Sequence, residues 1–163
     1  MEIRHSKPED MARIMEIYAR ARDFMAANGN PHQWGDTHWP PEEIIREDIA
    51  LGRSFVCTEN DKVIGTFCYI FGKDIDPTYA VIEGAWSKDC AYGAVHRIAS
   101  DGTKGVGSFC IEWALRQSGY LRIDTHADNK IMLNLLRKLG FHQCGIIYVQ
   151  EDNFPRFAFD KSL

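Results

Sequence analysis

Three glycines sit in one short turn, Asp101-Gly102-Thr103-Lys104-Gly105-Val106-Gly107-Ser108, directly ahead of an apolar run at helical spacing. Such a turn lets backbone N–H groups converge, and a helix opening there adds its unpaired first-turn donors and its positive dipole end. Lys104 adds a cationic side chain. The chemistry this favours is the binding of an anion of the phosphate class. A Gly-rich turn between strand and helix also serves close packing, so the turn alone does not choose between a cradle and a packing device. A second stretch rich in reactive types is Asn28-Gly29-Asn30-Pro31-His32-Gln33-Trp34-Gly35-Asp36-Thr37-His38-Trp39-Pro40-Pro41. A loop of that length with this many aromatic and imidazole groups reads as a pocket wall or lid, or as an aromatic plug at the domain edge.

The elements that must position these stretches follow from periodicity. Residues 2–5 alternate as a strand, and Ser6 is expected to cap a helix start with Pro8 in its first turn. Met11, Ile14, Met15, Ile17, Tyr18, Ala21 and Met25 recur at helical spacing and form a core stripe. Residues 41–50 form a short amphipathic helix. Residues 54–58 and 63–70 flank Glu59-Asn60-Asp61-Lys62 as a hairpin. A second hairpin is expected between residues 79–83 and 92–98. From there the order is strand, Gly-rich turn, helix over 109–117, strand over 121–129 and helix from 130. A last antiparallel pair, 144–149 with 156–159, is expected around a turn at Glu151-Asp152-Asn153-Phe154-Pro155. The fold class is α/β with a mixed, mostly antiparallel sheet and helices on both faces. No repeat, linker or low-complexity tract breaks the 163 residues, which are expected to form a single domain over 1–163.

A net charge of −4 gives no electrostatic footprint for nucleic acid. The cysteines Cys57, Cys68, Cys90, Cys110 and Cys144 are odd in number and lack metal-site spacing, so reduced thiols, no metal and a cytoplasmic setting are expected. No basic-then-apolar leader and no run of about 18 apolar residues appears, so neither export nor membrane insertion is expected.

Residues 96–141 resemble the acyl-CoA-binding core of the GNAT N-acetyltransferase superfamily, with Gly105-Val106-Gly107 at its Gly-x-Gly, Asn129 at its Asn and Lys138-Leu139-Gly140-Phe141 at its closing Lys-x-Gly-Phe. Arg122-Ile123-Asp124-Thr125-His126-Ala127-Asp128-Asn129, together with Gly29-Asn30-Pro31-His32-Gln33-Trp34, is similar to a small bacterial branch of that superfamily. The resemblance implies the GNAT fold and acetyl-CoA as cofactor. It implies that backbone donors of Lys104, Gly105, Val106, Gly107 and Ser108 hold the pyrophosphate. The main chain of Ile98, Ala99 and Ser100 would pair with the pantetheine arm, and Asn129 would contact the arm, the alternative for Asn129 being a helix-capping role. The sequence departs from the pattern in two places. Gly102 stands where members carry Gln or Arg, and Leu136 stands where many carry a Tyr that protonates the leaving thiolate.

Acetyl transfer to an amine requires a held cofactor, a neutral amine and a departing thiolate. Asp124 lies where some members that acetylate protein N-termini carry a catalytic Glu; Glu83 and His126 compete with it as base. Asp124 could equally pair with Arg122 or Arg97. Tyr148 is the hydroxyl that could replace the missing acid. Gln33, Trp34 and Trp86 are expected at the acceptor, where an aromatic wall with Trp39 and Tyr92 would suit an apolar or cationic amine; the same rings could be core. The implied activity is transfer of an acetyl group to a primary amine of a small molecule or peptide by direct attack in a ternary complex. The rival readings are a non-catalytic acyl-CoA sensor or partner module, and a dinucleotide-binding turn. The last is disfavoured by Cys110, which stands where a third Gly would be needed. A homodimer through the final strands is what the resemblance implies for assembly.

Overall fold

Ile14, Ile17 and Tyr18 fall on one face of a 17-residue helix, α1 (Met11–Ala27), and that face is fully buried. The structure, a computed structural model, describes residues 1–150 and 153–163. It divides into two compact units, residues 1–69 with 96–111 and residues 70–95 with 112–163.

In the first unit, β1 (Glu2–His5) pairs antiparallel with β2 (Ser54–Glu59), and β2 with β3 (Lys62–Gly72). Asn60 and Asp61 both take left-handed φ, 49° and 61°, which matches the twist of the two strands they join. The core joins the α1 face to Trp34, Val56, Val63, Ala99 and Ile45, the last from α2 (Glu42–Ala50). Each fully buried Ile there contributes about 1.5–3 kcal/mol relative to exposure. Ser6 does not cap a helix. Its hydroxyl meets that of Ser54 at 2.7 Å, while Asp10 accepts from the Lys7 N–H at 2.8 Å and supplies the cap for a single 3-10 turn, Pro8–Asp10.

In the second unit, β6 (Tyr120–His126) and β7 (His142–Tyr148) both pair antiparallel with β8 (Pro155–Ser162). The first residues of β5 (Tyr92–Ser100) run parallel to β6, with Gly93 opposite Leu121 and Ala94 opposite Arg122. The expected hairpin between 79–83 and 92–98 does not form. Pro77 and the Asp76 carboxylate, which accepts from the Thr78 N–H at 2.9 Å, start a short helix, α3 (Pro77–Ala80), and leave only β4 (Glu83–Gly84) as strand. β4 pairs with β7, and Gly84 and Gly145 meet so closely that a Cβ on either would lie 2.2 or 2.1 Å from a carbonyl of the other strand. The final antiparallel pair is present, whereas Glu151 and Asp152 of its turn lie outside the described residues.

The strand order is β1-β2-β3-β5-β6-β8-β7-β4, a mixed and mainly antiparallel sheet flanked by helices. β3, β5 and the helix α4 (Val106–Ser118) each run from one unit into the other. The last helix, α5 (Lys130–Lys138), buries Leu133 and Leu136. No helix among the described residues is long and apolar enough to cross a membrane.

Candidate active site

The turn between β5 and α4 is braced from beneath and open above. The Asp101 N–H donates to the Ile64 carbonyl at 2.9 Å, and the Asp101 carboxylate accepts from the Thr103 N–H (3.1 Å), the Thr103 hydroxyl (2.6 Å) and Arg13 Nη2 (2.7 Å). Burial opposes the charge of Asp101, but Thr103 and Arg13 together hold its carboxyl below the ordinary range, so the acid stays ionised with its charge met by Arg13 of α1, which also pairs with Glu16 at 2.9 Å. Gly102 and Gly105 adopt φ of 98° and 83°, where a side chain is strained. A Cβ at Gly102 would meet nothing within 4 Å, and one at Gly105 only the Met1 Cε at 3.7 Å. The Gly105 carbonyl accepts from Phe109, so the N–H groups of Val106, Gly107 and Ser108 fall in the first turn of α4, where no intrahelical acceptor exists. With exposed Lys104 beside them, these donors form a surface suited to a pyrophosphate. Gly65 of β3 seats this helix start, since a Cβ there would lie 2.5 Å from Val106 Cγ1.

Ile98, Ala99 and Ser100 close β5, with Ala99 in the core and its neighbours half-buried. Just ahead of them Arg97 takes φ 53°, an uncommon conformation for a residue with a side chain, and its carbonyl accepts from the Tyr18 hydroxyl at 2.8 Å. The Arg97 guanidinium forms a buried ion pair with Asp48. Burial pushes the neighbouring Cys68 thiol up to about 12. Arg97 therefore pairs with Asp48, not with Asp124.

The residues nominated for proton transfer lie in the second unit. Tyr79 is buried at the foot of α3, and its hydroxyl donates to Asp124 Oδ1 at 2.6 Å. Burial and then the Asp124 charge raise this phenol well above its ordinary value, so it remains a donor throughout the working pH range. Glu83 on β4 and Tyr148 on β7 are both exposed and face each other; the Glu83 charge, and then its hydrogen bond, raise the Tyr148 phenol. His126 is buried at the end of β6. Its Nδ1 accepts from the Asp128 N–H at 3.1 Å, which occupies the nitrogen that a neutral imidazole would offer as a base. Asn129 caps α5, its Oδ1 accepting from the Met132 N–H at 3.1 Å. Leu136 is fully buried and offers no proton.

The aromatic residues are divided between the units. Trp34 lies in the core of the first, edge-on to Tyr18 at 5.7 Å, and Gln33 Oε1 accepts from Asn30 Nδ2 at 2.8 Å. Trp39 packs against the same core. In the second unit, Trp86 donates to the Tyr79 carbonyl at 2.9 Å. The cation that Trp86 and Tyr92 hold is the chain's own Arg122, whose guanidinium carbon lies 4.5 and 4.0 Å from their ring centres. Arg122 also donates to the Lys88 carbonyl at 2.7 Å. Among the nominated groups, the structure thus brings Glu83 to Tyr148, and it joins Asp124 to Tyr79, which the sequence reading passed over. The Asp76-Pro77 pair was the signal for a helix there, but nothing in the order of residues links position 79 to 124.

No protein-family model matches the sequence, and no curated protein matches it. Solved structures do. A GNAT-family acetyltransferase from Streptococcus agalactiae superposes with a TM-score of 0.89 at 28% identity, covering 99% of this chain and 95% of that one. A ribosomal-protein-alanine N-acetyltransferase from Brucella melitensis matches with a TM-score of 0.63 at 18% identity over 100% of both chains. NAA60 from Arabidopsis thaliana, solved with a bisubstrate analogue, matches with a TM-score of 0.66 at 12% identity over 99% and 97%. The last two carry the likeness of fold alone. With the Gly102–Gly105 turn, the strand order and a full-length neighbour above a quarter identity, the chain belongs to the GNAT superfamily of acetyltransferases.

Proposed function

We propose that the chain is a single-domain acetyl-CoA-dependent N-acetyltransferase that acts on a primary amine of a small molecule or peptide by direct attack in a ternary complex. The observation that carries this reading is the open turn at Gly102 and Gly105, whose first-turn donors and Lys104 fit a pyrophosphate while its own acid is tied to Arg13 and Thr103. Acetyl-CoA would supply an acyl carbon activated as a thioester. In this reading Lys104, Gly105, Val106, Gly107 and Ser108 bind the phosphates, the main chain of Ile98, Ala99 and Ser100 aligns the arm, and Asn129 contributes chiefly by fixing the start of α5.

Asp124 is the favoured proton acceptor because Tyr79 fixes one of its oxygens. Its carboxylate removes the ammonium proton of the acceptor, since only the neutral amine has the lone pair needed for attack. His126 is less suited, with Nδ1 engaged by the Asp128 N–H. The Glu83–Tyr148 pair, exposed on β4 and β7, holds a phenolic proton. Leu136 supplies none, and none is required for departure of a thiolate, which is a weakly basic leaving group. Gln33, Trp34 and Trp86 are the residues nominated for the acceptor, although Trp34 packs in the core of its unit and Trp86 covers Arg122 in the other.

The test is thiol release from acetyl-CoA across a panel of primary amines, with Asp124→Asn beside the natural chain. Amine-dependent release that falls about 10²-fold or more in the variant supports the reading. Tight binding of acetyl-CoA with no release to any amine favours instead a non-catalytic acyl-CoA sensor, the reading that buried Leu136 at the usual acid position supports.

A further inference from the structure

His142 and Cys144 alternate on β7, and Asp160 stands directly opposite His142 on β8. The ladder shifts register between Gln143 and Gly145, so Cys144 is the extra residue of a bulge, a device that re-aims a side chain. As a result Cys144 Sγ lies 3.6 Å from His142 Nδ1, Asp160 Oδ1 lies 3.8 Å from the same nitrogen, and all three donor atoms fall within 4.8 Å of one another. A Cys-His-Asp relay would use both ring nitrogens. Here sulfur and carboxylate converge on one, which is the pattern of donors around a shared point. Tetrahedral zinc with Zn–S of about 2.3 Å and Zn–N or Zn–O of about 2.0–2.2 Å separates its ligand atoms by about 3.4–3.6 Å, close to the 3.6 and 3.8 Å from His142 Nδ1 to its two partners, so that binding draws the set together from its 4.8 Å span.

We propose that His142 Nδ1, Cys144 Sγ and Asp160 form a three-ligand site for a zinc-class divalent cation, with the fourth position open to water. The mixed sulfur, nitrogen and oxygen set suits zinc over magnesium or calcium, which take oxygen ligands. The surroundings are built as metal sites are. Asp160 is 2% exposed, and its oxygens accept from the Ser87 N–H (2.7 Å), the Ser87 hydroxyl (2.8 Å) and the Tyr120 hydroxyl (2.7 Å), which fix the carboxylate. The Cys144 carbonyl accepts from the Ala85 N–H at 3.2 Å, and the Gly84–Gly145 approach pins the backbone on either side. His142 is the exposed member and gives the ion its entry. Binding forms one bond from each donor atom to the metal and releases the Cys144 thiol proton to solvent. Sequence spacing hides the set because its third member lies on another strand.

The test uses the full chain with Cys90→Ser, which removes the exposed thiol, stripped with chelator and titrated with cobalt(II) chloride, then zinc chloride. One equivalent of cobalt giving a thiolate-to-metal band in the near ultraviolet and tetrahedral visible bands, both displaced by zinc, is the expected result. Cys144→Ser should abolish the near-ultraviolet band, and His142→Ala should weaken binding at least about 10-fold. His142 is a surface side chain, so that variant keeps the test valid even where Cys144→Ser unfolds. Absence of the bands in the parent chain, or zinc affinity unchanged in His142→Ala, overturns the site.

Discussion

The Tyr79 hydroxyl donates to Asp124 Oδ1 at 2.6 Å, joining a short helix that no hydrophobic period announces to the strand that carries the favoured base. Tyr79→Phe removes only this oxygen and leaves the ring beneath Trp86 and Tyr92. The expected outcome is a fall in kcat of about 10-fold with KM for acetyl-CoA unchanged, smaller than the loss of 10²-fold or more from Asp124→Asn. Steady-state thiol release measures both. A Tyr79→Phe enzyme with unaltered kcat would remove Asp124 from the reaction or Tyr79 from its support.

Asp48 and Arg97 are an ion pair taken out of water, so removing one partner strands the other. Asp48→Ala should destabilise the fold by about 3–5 kcal/mol, read as a lower urea midpoint. Replacing both, as Asp48→Leu with Arg97→Met, should recover most of that loss, because the desolvated charge is gone. Equal losses in the single and double variants would place the cost in packing and not in charge.

Arg122 sits between the rings of Trp86 and Tyr92, with the Tyr120 ring centre 5.5 Å from its guanidinium carbon. Arg122→Met keeps the length of the side chain and removes the cation and its bond to Lys88. A loss of about 2 kcal/mol with altered Trp emission is expected in thermal or urea unfolding followed by fluorescence. An unchanged midpoint would mean that the rings gain nothing from the charge.

The Arg4 guanidinium, bound to both Asp10 oxygens at 2.7 and 2.9 Å, holds the Asp10 carboxyl below its ordinary range. A depressed folded-state pKa contributes stability that is fully present above the unfolded value of about 3.9 and is lost as pH falls through the folded one. Asp10→Asn should therefore be less stable than the natural chain at pH 7, by about 1 kcal/mol given a partly exposed partner, and the difference should vanish below the folded pKa. Urea unfolding at pH 7 and at stepwise lower pH reads the convergence. A gap that persists undiminished into strong acid would contradict the assignment.

The periodic elements were legible in the sequence because local patterning decides them. The α1 stripe, the Asn60-Asp61 turn and the run from β5 to α5 follow from apolar spacing and glycine placement. Other features were not legible from periodicity, because particular side-chain and backbone contacts decide them. Residues 79–83 read as strand until Asp76 and Pro77 are seen to start a helix, and Gly84 pairs with Gly145 because only glycines permit that approach. For Trp34 and Trp86 the sequence left acceptor wall and core both open; in the fold Trp34 packs with the α1 core and Trp86 covers Arg122. Asn129 fits both a cofactor contact and a helix cap in sequence, and the Met132 N–H is its partner in the fold. The glycines at 102 and 105 were readable as a tight turn, whereas the pairing of Asp101 with Arg13 was not, because Arg13 lies far away in the chain.

Calorimetric titration with acetyl-CoA tests the central claim most directly, comparing the natural chain with Gly105→Ala and Gly105→Glu. Ala introduces the backbone strain at φ 83° without charge, and Glu adds an anion where the phosphates would lie. Micromolar binding to the natural chain, weakened modestly by Ala and at least about 100-fold by Glu, is the predicted result, since a like charge opposes the ligand at a site of converging donors. No binding to the natural chain, or equal binding to the Glu variant, would contradict the account.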